Sequence, residues 1–196
     1  MTRSSALRKT VVAGALAAVS VVLFLTPFGY IPWLAGASLT IMHVPAIIGG
    51  VLEGPVVGAV VGGIFGVTSL IKAATGPQGP IDALFVNPLV SVLPRIIVGI
   101  AAWAVFAAFR GRWTAFSSAL AGVAGSLTNS VLVLGALVVA KALPFAAALG
   151  VFVANSLVEA AAAGILTLGV VLAWRGIGGE GKARLANEEG GESKGR

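Results

Sequence analysis

The stretch NPLVSVLPRIIVGIAAWAVFAAF, Asn87 to Phe109, decides the fold class. From Pro88 it runs 22 residues with a single charge, Arg95, and Arg110 follows at once. A bilayer core of about 30 Å takes about 20 helical residues, so this run has the length to cross one. Asn87 followed by Pro88 reads as an N-cap with proline in the first helical turn. The segment reads as a membrane-spanning helix.

Five more apolar runs surround it: Val11–Phe28, a short one over Leu39–Val51, Val56–Ile71, Ala115–Ala140 and Pro144–Trp174. Between the third and fourth, Thr75 to Val86 carries glycine and proline and reads as an ordered loop. Composition agrees: 58% of the 196 residues are hydrophobic and 10% charged, where a soluble domain carries about 25% charged. The absence of cysteine removes disulfides and thiolate chemistry. The single histidine, His43, removes a histidine-rich metal centre, so no metal and no cofactor are expected. The reading is an all-α integral membrane protein of six transmembrane helices. Residues 1–174 form the membrane domain and 175–196, rich in Gly, Glu and Lys, a flexible charged tail.

The net charge of +6 is not a nucleic-acid footprint, because the basic residues cap hydrophobic runs. With both termini cytoplasmic, ten Lys and Arg (Arg3, Arg8, Lys9, Arg110, Arg112, Arg175 and the tail) lie inside. Only Lys72 and Lys141 lie outside, and Arg95 stays within a span. Trp113 and Trp174 fall beside the inner basic residues, where aromatic belts sit. A rival reading takes the N-terminus as a cleaved leader ending near Ala35-Gly36-Ala37. Cleavage would leave five spans whose basic loops are harder to orient.

Gly58, Gly62 and Gly66 recur every four residues and let a neighbouring helix approach closely. Ala13 with Ala17, and Gly14 with Ala18, form small-residue pairs on the first run. Polar residues inside the spans are costly unless satisfied, and so carry the functional information. Arg95 lies 15 residues before Arg110, Glu159 16 before Arg175, and Asn129 17 after Arg112. At 1.5 Å per residue, the three stand about 22–24 Å above the inner boundary. Asn155 shares a helix face with Glu159, and Ser126 lies near the face of Asn129. This layer is either an Arg95–Glu159 ion pair tying helices together or a polar chamber open to the outside. The surrounding Asn and Ser favour the chamber. His43 either caps the helix broken at Pro45 or touches a ligand. No Walker loop, HExxH or GxSxG occurs, so no enzymatic activity is expected. The residual enzymatic alternative is an intramembrane hydrolase using His43 and Glu159.

The string Leu39-Thr40-Ile41-Met42-His43-Val44-Pro45-Ala46-Ile47-Ile48-Gly49, then Gly54-Pro55 and the glycine-rich span, resembles the S components of energy-coupling factor (ECF) vitamin transporters. Asn87 to Arg95 and Gly125-Ser126-Leu127-Thr128-Asn129 extend the resemblance over about residues 9 to 174. The subgroup it is most similar to is the pantothenate type. The resemblance implies a six-helix subunit of a bacterial or archaeal cell membrane that captures a vitamin from outside. It also implies partners: an integral T subunit and two cytoplasmic ATPase subunits. An alanine motif in the first helix of the family docks on the T subunit, and Ala13 and Ala17 match it, with Gly14 and Ala18 one register away. Arg95, Asn129, Asn155, Glu159, Ser126, His43 and Asn87 are the candidate substrate-binding residues. Pantothenate suits them, its carboxylate on Arg95 and its hydroxyls and amide on Asn129 and Asn155. Glu159 keeps open an amine-bearing queuosine precursor or another vitamin, and the rival class is a self-contained small permease or channel.

Overall fold

The computed structural model describes residues 3–32, 38–76, 82–109 and 113–193. The Ala35-Gly36-Ala37 string, Gln78, Arg110, Arg112, Lys194 and Arg196 lie outside the described residues. Helix α1 (Arg3–Leu25) leads into a short 3-10 turn, Pro27–Gly29, and then strand β1 (Tyr30–Pro32). Strand β2 (Ser38–Thr40) pairs with β1 antiparallel, with Tyr30 opposite Thr40. There follow α2 (Val44–Glu53), α3 (Pro55–Thr75), α4 (Pro88–Ser91), α5 (Leu93–Phe109), α6 (Thr114–Val139), α7 (Phe145–Val151) and α8 (Leu157–Ser193).

Among the described residues, five segments are long and apolar enough to cross a membrane: Ser5–Leu25, Pro55–Thr75, Pro88–Phe109, Thr114–Val139 and Phe145–Gly176. The expected second span is different. Helix α2 has 10 residues, about 15 Å of rise, and Leu39 and Thr40 belong to a strand. The all-α architecture holds apart from a ribbon of three residues per strand, and among the described residues the six expected helices are five long ones and one short. Pro45 gives the physical reason: without an N–H, proline fits only the first turn, so α2 cannot extend back through Leu39. Helix α8 continues through the charged residues expected to form the solvated tail.

The short helix occupies the middle of the bundle. Val44, Ile47 and Ile48 of α2 pack with Val98 and Ala102 of α5 and Ala163 of α8. Outward faces carry exposed Val11, Val22, Ile64, Val131 and Ile165, a surface suited to lipid rather than water. The glycine stripe of α3 is an internal seam. A Cβ on Gly58 would meet Gly50 Cα at 2.8 Å, one on Gly62 would run into the Arg95 carbonyl, and one on Gly66 would meet Val92 Cα at 2.7 Å. Only hydrogen side chains let α3 lie this close to α4 and α5. Arg8 of α1 donates to Oε1 of Glu53 at 2.9 and 2.6 Å, which ties the start of α1 to the end of α2.

Candidate substrate-binding chamber

Arg95 is placed by the residue before it. In a regular helix the N–H of residue 94 would bond the carbonyl of Val90, but Pro94 has none. The chain breaks at Val92 between α4 and α5, and the Arg95 guanidinium donates to that Val90 carbonyl at 2.7 Å. Its carbon lies 5.5 Å from the Phe65 ring centre and 5.2 Å from that of Phe85, cation–π distances that help hold a buried cation. Arg95 is only 7% exposed. The charge is held by the backbone and two rings.

Glu159 stands one turn after a π-helical segment, Phe152–Ser156. Such turns add a residue to the helical register and recur at functional sites. Here the segment carries Asn155, whose side-chain amide donates to Glu159 Oε1 at 3.2 Å. The same oxygen accepts from the Thr40 amide at 2.6 Å and the Thr40 hydroxyl at 2.8 Å. Those three donors, rather than Arg95, hold the carboxylate. The shared face of Asn155 and Glu159 was legible from their spacing; Thr40, 119 residues away, was not.

Residues 40–43 join the two sides. Thr40 is bound to Glu159, Met42 packs with Phe65 beneath Arg95, and His43 lies within electrostatic reach of Arg95. His43 is the residue before α2 but gives no side-chain cap; it is buried, and its Nε2 meets no hydrogen-bond partner. Helix α6 approaches one turn further in, where Gly125 faces Ile47. Ser126 follows Gly125 on α6, and Asn129 stands one turn further along that helix. Ser126 Oγ and Asn129 Oδ1 are likewise buried without a partner. Asn87 is not brought to this group: it is exposed, and its Oδ1 accepts from the Leu89 amide at 2.9 Å as the N-cap of α4. Phe65, Phe85 and Thr40 are the site neighbours that sequence reasoning missed. The aromatic residues gave no signal among many apolar ones.

On α1, Ala17 is buried and Ala13 packs against Ala46, Val57 and Val61. Gly14 and Ala18 are exposed, and a Cβ on Gly14 would meet nothing within 4 Å. Gly14 and Ala18 are thus open, whereas Ala13 and Ala17, about 100° round the helix, turn toward the bundle.

Residues 8–171 match a family described as ECF transporter, substrate-specific component. The pantothenic acid transporter PanT of Lactococcus lactis subsp. cremoris is 32% identical over 190 residues, 87% of this chain and 95% of that protein. The pantothenate transporter PanT of Leuconostoc mesenteroides is 36% identical over 75 residues, 37% of each chain. The chain belongs to the substrate-specific, or S, components of ECF transporters, and is a multi-pass membrane transport protein.

Proposed function

We propose that this S component captures pantothenate from outside the cell and delivers it through an ATP-driven module of a T subunit and two ATPases. Arg95 carries the reading: a buried guanidinium flanked by two rings is a fitting receptor for the carboxylate of a small apolar-bodied anion. Two relatives named as pantothenate transporters support the same ligand. The proposed chamber comprises Arg95, Asn129, Asn155, Glu159, Ser126 and His43; Asn87, the N-cap of α4, is left out of it. Six segments, both termini cytoplasmic, set in a bacterial or archaeal plasma membrane, with residues 175–196 as the cytoplasmic tail, complete the proposal. On α1 the proposed docking face for the T subunit is the open pair Gly14 and Ala18; Ala13 and Ala17, which match the family motif, pack inward beside it.

Mass spectrometry of the small molecule that co-purifies with the chain tests this. Pantothenate is the expected species. A queuosine precursor or another vitamin in its place would replace the ligand. Purification from the native membrane free of T and ATPase subunits would favour the self-contained permease.

A further inference from the structure

In a chamber for an anion, Glu159 is the awkward charge, because like charges repel. The structure shows how that charge is held. Three hydrogen bonds reach Glu159, and all of them end on Oε1. They come from the Thr40 amide at 2.6 Å, the Thr40 hydroxyl at 2.8 Å and the Asn155 side-chain amide at 3.2 Å. Two of the three belong to one residue, the last of strand β2, fixed opposite Tyr30 by the ribbon's register. A carboxylate that is 5% exposed inside an apolar bundle needs such donors. Bonds to an ionised acceptor at these distances are the strong kind.

Arg95 stands on the other side of a short link. Met42, two residues on from Thr40, packs with Phe65, and the Arg95 guanidinium carbon lies 5.5 Å from the centre of that ring. Two residues of chain span about 7 Å at most. The two charges nevertheless do not bond each other: the guanidinium donates to the Val90 carbonyl, and the carboxylate accepts from Thr40 and Asn155. A loosened Glu159 would be drawn toward the Arg95 cation and would compete there with the carboxylate of a ligand. We propose that Thr40 is a positioning residue: its two donors clamp Glu159 on the ribbon side and keep it off Arg95, so that an anionic ligand is accepted there. This rests on the reading of Arg95 as the carboxylate receptor and deepens it. It explains how a chamber that contains an acid can select an acid.

The test is a double-mutant cycle on the detergent-purified full chain, with pantothenate titrated calorimetrically. Thr40→Val removes the hydroxyl, keeps the amide donor and suits a strand. It should weaken pantothenate about tenfold, the loss of one hydrogen bond to a charged group. Thr40→Ser keeps the hydroxyl and should stay within about twofold of the unaltered chain. Glu159→Gln alone should change affinity by no more than about threefold, since its amide oxygen still accepts from Thr40 and Asn155. In the Glu159→Gln background, Thr40→Val should then cost less than about twofold, because no charge is left to restrain. A hydroxyl that touched the ligand, or that only held the ribbon to the bundle, would cost the same in both backgrounds. Equal losses therefore overturn the proposal. So does unchanged affinity in Thr40→Val, or a large loss in Glu159→Gln alone, which would make the carboxylate a ligand contact. Ligand-free melting temperatures check folding, and Thr40→Ala takes the place of Thr40→Val if the valine chain does not fold. No binding of pantothenate to the unaltered chain overturns the functional reading and the positioning role with it.

Discussion

Arg95 shows how one residue's environment is written one position earlier. Pro94 removes a helical donor and so frees the Val90 carbonyl, and the guanidinium takes it. The arginine is thereby oriented, its planar guanidinium held in a fixed fork. Loss of a buried charge-assisted contact is worth about 2–4 kcal/mol, so Arg95→Ala should weaken pantothenate binding about 30- to 1000-fold by calorimetry. Arg95→Lys keeps the charge but loses the planar fork and should fall in the same range. Unchanged affinity in a folded Arg95→Ala chain would refute the chamber. Glu159→Gln discriminates ligand classes. With a carboxylate ligand it should be mild, since Thr40 and Asn155 still find an oxygen there. With an amine-bearing ligand it should be severe. The 155–159 pair was legible from spacing along a single helix. Thr40 was not, because a contact across 119 residues leaves no periodic trace.

Among elements, the glycine seam decides where the site residues stand. Because Gly62 lies against the backbone of Arg95 itself, spacing between α3 and α5 and placement of the guanidinium are one property. Adjacent Gly63 supplies the control: a Cβ there meets only the Ile96 side chain at 3.6 Å, an ordinary contact. Gly62→Ala should therefore destabilise by about 1–3 kcal/mol, as overpacking does, and lower pantothenate affinity, whereas Gly63→Ala should leave both nearly unchanged. Equal melting temperatures for the two variants would mean that the seam relaxes freely. The internal seam was readable from the four-residue repeat alone. The shortness of α2 was not, since an apolar run such as Leu39–Val51 suits a strand and a helix alike. The π-turn at Phe152–Ser156 left no mark either, because hydropathy carries no information on helical register. Orientation of α1 sets a further test. Leucine at Gly14 and Ala18, both open, should abolish uptake and co-purification with the T subunit while ligand binding by the isolated chain survives. The same change at Ala17 strikes the core and should also impair folding, so it is the poorer probe.

At the scale of the whole molecule, side and depth follow from charge. A chain of 196 residues with 58% hydrophobic types has little choice but the bilayer, and the basic residues at the ends of its runs support the orientation proposed above. The Arg8–Glu53 contact bears on the same question from the fold: it holds the start of α1 and the end of α2 at one end of the bundle. Short as it is, α2 therefore returns the chain to the side it began on, which is why a helix of 10 residues can stand where a full span was expected. From this pairing the α6–α7 connection lies opposite the start of α6. The native chain has no cysteine, so single cysteines report cleanly. In intact cells a membrane-impermeant maleimide should label Ala142→Cys and leave Trp113→Cys unlabelled until the membrane is opened. Trp113 is 74% exposed, so silence there reflects the side of the membrane rather than burial. Labelling of Trp113→Cys from outside would invert the topology and turn the Arg95 chamber toward the cytoplasm.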